Sequence, residues 1–224
     1  MTLSEILTQF ESLRNESTFA HNSKYGAVKQ YGVKLGDIRP IAKLIKINHE
    51  LAFELWETGY VEARLLATLI VNPKKLSAEE VSRMVHSMDF VHEADWFNSY
   101  VLKDLPGKEK FREQWMRSDN KWAARSGWSL MAGRVAREPD GIDINATLDR
   151  IEKEMPTAPP EVQWTMNTTL ANIGINRSEF RQRALDIGEK LGIYRDYPVS
   201  KGCTSPFAPI WISEMVKRQE KQAE

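Results

Sequence analysis

This sequence predicts an all-α fold, a right-handed superhelical solenoid of stacked helix pairs in one domain spanning residues 1–224. Apolar residues recur at helical spacing along nearly the whole chain, and strand-like alternation is almost absent. Arg64, Asp95 and Arg125 lie 31 and 30 residues apart. The surroundings of the two arginines also repeat. Leu55-Trp56 is followed by Glu62-Ala63-Arg64, and Gln114-Trp115 by Ala123-Ala124-Arg125, so a Trp closes one amphipathic stretch and an Ala-Arg pair opens the next. Repeated helix pairs meet the same packing problem in each unit, which is why a period of this length signals a solenoid.

The elements follow in order. Leu3, Ile6, Leu7, Phe10 and Leu13 define a first helix that Ser4 is placed to cap. Asn22 to Gly36 reads as a basic loop with room for a short helix. Asp37 then caps a helix through Pro40, Ile41, Leu44 and Ile45, with Pro40 near its first turn. His49 to Trp56 and Glu62 to Val71 form a pair joined by Thr58-Gly59-Tyr60. Asn72-Pro73 breaks the chain, and Ser77 with Glu80 makes a capping box for the helix through Val81, Met84 and Val85. Phe90 to Leu102 is its inner partner and carries Asp95. Lys108 to Met116 and Asn120 to Arg134 repeat the motif, as do Asn145 to Met155 and Pro160 to Ile173. Ser178 to Leu191 and Ile210 to Gln219 complete the chain, with a loop around Cys203 between them.

Composition narrows the function. Hydrophobic residues make up 42% and charged residues 28% of the 224, an ordinary globular balance. The longest uncharged apolar run, Leu65 to Val71, is far too short to span a bilayer. A lone cysteine and a start without a secretory pattern lead us to expect a cytoplasmic protein. Formal net charge is zero, which argues against indiscriminate coating of nucleic acid. The charges are segregated, however. Lys24 to Lys46 holds six basic residues against Asp37, and Lys103 to Arg137 holds nine against four acids, while Glu138 to Glu161 compensates with seven acids against two bases. Such blocks permit a localised phosphate contact. His86, His92 and Glu93 match no zinc-ligand spacing, so no metal is expected, and no phosphate loop or Ser-His-Asp signature is present.

Gly32-Val33-Lys34-Leu35-Gly36-Asp37-Ile38-Arg39, Leu55-Trp56 with Glu62-Ala63-Arg64, Ser118-Asp119-Asn120-Lys121-Trp122 with Arg125, and the Asp95 helix together resemble the AlkD-like, HEAT-repeat DNA alkylation repair proteins, from about residue 20 to 215. The resemblance implies HEAT-like helix pairs and, for the glycosylases of that family, a Trp-x-x-x-Asp element, an arginine one repeat later and a further aromatic residue. Asp95 matches the aspartate and Arg125 the arginine. The Trp position falls on Val91, a departure, and the last aromatic position falls near Thr168, with Trp164 one turn earlier.

The implied chemistry is excision of N3- or N7-alkylated purines, with Asp95 as catalytic carboxylate stabilising an oxocarbenium-like sugar. Arg125, Lys121, Trp122, Lys34, Arg39 and Arg64 are the expected DNA contacts, and Phe90, Trp96 and Trp164 an aromatic wall. The expected partner is alkylated or distorted duplex DNA, and no cofactor is required. The competing expectation is a non-catalytic HEAT-repeat scaffold that binds a protein or branched or damaged DNA.

Overall fold

A computed structural model describes residues 1–223 and contains thirteen α-helices, four short 3-10 helices and no strand among those residues. None of these helices is long and apolar enough to cross a membrane. The helices gather into two compact units, Met1–Lys108 and Glu109–Glu224.

The first unit holds α1 (Leu3–Ser12), α2 (Glu16–Lys24), α3 (Leu35–Ile45), α4 (His49–Glu57), α5 (Val61–Ile70), α6 (Ala78–His86) and α7 (Val91–Tyr100). Three starts differ from expectation. Thr2, not Ser4, caps α1, in a reciprocal box with Glu5. Glu16–Lys24, expected in part as loop, is a helix capped by Asn15. α3 begins at Leu35 behind Lys34, so Asp37 sits within its first turn and Pro40 deeper inside. The Ser77–Glu80 box on α6 is formed as expected. Central α5 packs against α3, α4 and α7, and nine of its ten residues are buried. Each fully buried Leu or Ile there contributes about 1.5–3 kcal/mol of transfer free energy.

Two buried carboxylates organise this unit. Glu62, on α5, accepts hydrogen bonds from the backbone N–H groups of Tyr31 (3.0 Å), Gly32 (2.8 Å) and Val33 (3.1 Å). It thereby ties the loop before α3 to the central helix. Only glycine fits at position 32, because φ is +82° and a Cβ would lie 2.6 Å from that of Phe19. Glu93, on α7, faces Arg64 of α5 at 3.1 Å, with Asp89 at 3.7 Å from the same nitrogen. Arg64 also donates to the Trp56 carbonyl and lies over the Trp56 ring. Burial pushes the Glu93 carboxyl up to about 7, against the pull of Arg64, and its Oε1 has no hydrogen-bond partner.

The second unit holds α8 (Lys108–Trp115), α9 (Lys121–Arg137), α10 (Ile144–Glu154), α11 (Pro160–Asn176), α12 (Arg181–Leu191) and α13 (Ala208–Ala223). Its core joins Trp128, Met131 and Val135 of α9 to Leu148, Ile151, Met166, Leu170, Ile187 and Ile212. The two long helices α9 and α11 lie against each other, and the Thr169 hydroxyl donates to the Trp128 carbonyl between them. Gly127 allows α9 to approach α8, since a Cβ there would sit 2.5 Å from the Met116 nitrogen.

Gly127→Ala should therefore destabilise the protein by about 1–3 kcal/mol through overpacking, read as a lower denaturation midpoint at unchanged slope. Glu93 yields a pH prediction. Its pKa is raised on folding, so the stability it contributes is full below the unfolded value of 4.5 and lost as pH rises through about 7. Glu93→Gln is neutral at every pH. Relative to the native chain it should gain about 2 kcal/mol between roughly pH 5 and pH 8; a difference that stays constant with pH would refute this.

Candidate nucleic-acid interface

In the first unit the basic segment has become a face of α3. Arg39 and Lys43 are four residues apart, which places them on one side of the helix, with Lys34 at its N-cap and Lys46 at its C-cap. All four are exposed. Among the described residues none of them is in an ion pair. Arg39 instead reaches α7: its guanidinium lies 4.8 Å from the Trp96 ring centroid and donates to the Tyr100 hydroxyl at 2.9 Å. Trp96 and Tyr100 meet edge to face at 5.5 Å. Tyr100 also lines an open cleft of about 500 Å³ with Ile47, Leu69, Asn72 and Lys74.

Asp95 sits half-buried on α7, beside Trp96. Val91 opens the same helix one turn earlier, also half-buried, on the face that Asp95 shares. Phe90 is the N-cap of α7 and is buried, packed edge to face on His92. Trp96 is buried too, and Arg39 covers its ring. Neither ring is therefore an open face. Arg64 lies inside the unit, 9% exposed, engaged by Glu93, Asp89 and the Trp56 carbonyl. The carboxylates that meet Arg64 thus come from the first turn of α7 and the loop before it.

In the second unit Asn120 caps α9 by accepting from the Trp122 and Ala123 amides, which fixes where Lys121 and Arg125 emerge. Lys121 is half-exposed, pairs with Glu161 at 2.5 Å and lies over the Trp122 ring at 4.9 Å. Trp122 itself is buried. Arg125 is 3% exposed and donates to the Glu161 backbone carbonyl at 2.8 Å. Burial raises the Glu161 carboxyl, but the Lys121 ammonium and the hydrogen bonds it accepts bring it below the ordinary value. One turn along α11, Trp164 is half-buried and touches Tyr194 at 5.3 Å and Tyr197 at 5.8 Å. Thr168, at the expected aromatic position, turns its hydroxyl to the Trp164 carbonyl.

Sequence reasoning missed Glu62, Glu93, Tyr100, Tyr194 and Tyr197. Glu62 precedes the Ala-Arg pair, and an acid inside an otherwise apolar helix was a readable signal. The two tyrosines lie in a loop with no periodicity, so nothing in the sequence ties them to Trp164.

Comparison with known proteins agrees with this organisation. The model of a family described as DNA alkylation repair enzyme matches residues 6–203. An uncharacterized protein of Listeria innocua, Lin0241, is 23% identical over 99% of both chains. Another of Listeria monocytogenes, Lmo0209, is 22% identical over 97% of this chain and 99% of its own. The fold is similar, with a TM-score of 0.81 and 24% identity over 98% of this chain and 95% of the other, to a solved structure described as a new family of proteins related to the HEAT-like repeat DNA glycosylases with affinity for branched DNA structures. The fold is thus all-α and HEAT-like, and the match over residues 6–203 shows that this chain belongs to the DNA alkylation repair enzyme family.

Proposed function

We propose that the protein binds duplex DNA through backbone phosphates and excises N3- or N7-alkylated purines with Asp95 as the catalytic carboxylate. One observation carries this reading. Arg39, seated on Trp96 and Tyr100, joins the face of α3 that bears unpaired cations to the helix that bears Asp95. Exposed cations and a carboxylate thereby stand on adjoining elements of one unit. Lys34, Arg39, Lys43 and Lys46 are the phosphate contacts from this side. At the start of α9, Lys121 and Arg125 are the proposed cations. Arg125 is buried against the Glu161 carbonyl, and Lys121 is exposed but paired with the Glu161 carboxylate, which a phosphate would have to displace. Arg64 acts by holding α7 rather than by touching DNA.

The step balances without a cofactor. An alkylated purine carries positive charge, so the C1′–N glycosidic bond breaks with its electron pair returning to the base. Positive charge then develops on the sugar, where the Asp95 carboxylate stabilises it. Water adds to C1′ and gives up a proton, through Asp95 or to solvent, leaving free base and an abasic sugar.

Val91 favours a second reading. It stands one turn before Asp95, where the resemblance implies Trp, and an aliphatic side chain offers no π face to a cationic base. In that reading the protein binds damaged or branched DNA without excision; the solved neighbour is described as having affinity for branched DNA structures. Incubation with methylated duplex, followed by detection of released base, separates the two.

Asp95→Asn should abolish release of N7-methylguanine or N3-methyladenine while duplex affinity changes little; undiminished release would remove Asp95 from the reaction. Lys43→Ala with Lys46→Ala should weaken binding to all duplex sequences alike. It should also lower the slope of log affinity against log salt by about one for each phosphate that the variant no longer neutralises. Salt-independent binding, or none, would favour a protein-binding scaffold instead.

A further inference from the structure

Ile47 is an aliphatic side chain that the fold holds in the open. It lies in the short link between α3 and α4 and is 62% exposed. Lys46, just before it, adopts φ +61°, a left-handed conformation that costs free energy for a residue with a Cβ. The link is nevertheless fixed from both sides. The Lys46 N–H donates to the Ala42 carbonyl at 2.8 Å, and the Asn48 N–H donates to the Ile70 carbonyl at 2.9 Å. The Asn48 side chain in turn accepts from the Leu51 N–H and caps α4. Backbone strain persists only where the surroundings impose it, and it gathers at binding sites. A lone exposed aliphatic residue is ordinary in itself, so its neighbours decide its meaning.

Ile47 lines the open cleft of about 500 Å³ together with Leu69, Pro73, Lys74 and Tyr100. The Tyr100 hydroxyl accepts from Arg39, so the cleft continues the basic face of α3. Lys46 and Lys74 are exposed and enter no ion pair among the described residues, and Asp104 is the one acid in the lining. Proteins that bend DNA combine the same two components. Cations take the phosphates, and an aliphatic side chain enters the stack beside them. Continuity with Arg39 and Lys43 favours DNA over a protein or a lipid surface as the occupant.

We infer that Ile47 is a wedge that enters an unstacked base step, so that the protein selects DNA that is already gapped, bent or branched. This rests on the DNA-binding reading above and adds to it the residue that distinguishes disrupted from continuous duplex. Opening a stacked step costs free energy, so the wedge gains most where stacking is already lost. Lys46 and Lys74 hold phosphates alongside whatever the sequence, and no base edge is read.

In the test, the full chain is titrated with a continuous duplex and with the same duplex carrying a one-nucleotide gap, each bearing 2-aminopurine at the central step. The native protein should bind the gapped probe about tenfold tighter and raise its 2-aminopurine fluorescence as the step opens. Ile47→Ala should cut that preference to about twofold or less and abolish the fluorescence rise, with continuous-duplex affinity kept within about twofold. Ile47→Leu should retain the preference. The salt dependence of affinity should be the same in Ile47→Ala as in the native chain, because no phosphate contact is removed. Leu44→Ala, which removes a 74% exposed aliphatic residue outside the cleft lining, should leave the preference in place. Equal affinity of the native protein for the two probes, a comparable loss in Leu44→Ala, or a preference that survives Ile47→Ala, as a protein- or lipid-binding patch would give, overturns the inference while leaving duplex binding intact. Failure to bind either probe overturns the DNA-binding reading itself, and this inference with it.

Discussion

A buried carboxylate on three backbone amides determines where the basic face of the first unit stands. The loop before α3 carries Lys29 and Lys34 and no regular structure, and left to itself it would sample many conformations at an entropic cost of about 1–2 kcal/mol per residue ordered. Glu62 restrains it at Tyr31, Gly32 and Val33 together. Hydrogen bonds to a charged group contribute about 1.5–3 kcal/mol each, enough to offset the ordering of those three residues. The direction in which α3 leaves, and hence the side on which Arg39 and Lys43 project, follows from this clamp. Arg39 can meet Trp96 and Tyr100 only because α3 starts where Glu62 puts it.

Pairing of cations with indole faces recurs through the chain and sorts structural cations from accessible ones. Arg64 lies over Trp56, Arg39 over Trp96, Lys121 over Trp122 and Arg150 over Trp128. Where the cation also meets a buried carboxylate or carbonyl, as Arg64 does, its charge is committed to the interior. Arg39 is exposed beyond the ring, so its charge remains available to a partner, whereas the exposed Lys121 is paired with Glu161. The same local motif thus serves two purposes, and depth of burial decides between them.

The helices were legible because amphipathic periodicity and capping boxes are local: Ser77 and Glu80 are three residues apart, and their pairing follows from that spacing alone. Starts that depend on a distant partner were not. α3 begins at Leu35 because Glu62, 30 residues from Gly32, holds the preceding amides, and no neighbour of Asp37 reveals this. Asp95 and the basic face could be named from the repeat and the resemblance. Arg64 looked equivalent to Arg125 by position. Arg64 meets Glu93, whose meaning as a buried ion-pair partner depends on how α5 and α7 pack. Tyr194 and Tyr197 were invisible for the same reason, since a left-handed turn and two anchors bring them to Trp164.

Val91 bears on how chemistry and binding divide within this framework. Stabilising a cationic sugar needs a fixed anion, and Asp95 can supply one whatever residue stands at position 91. Holding a cationic purine in place needs an aromatic face, and the buried Phe90 and Arg39-covered Trp96 do not present one in the first unit. Absence of the face weakens capture of the base more than cleavage of an already labile bond. An enzyme so altered would lose substrate affinity before intrinsic chemistry, and would rely on lesions or distortions that expel the base unaided.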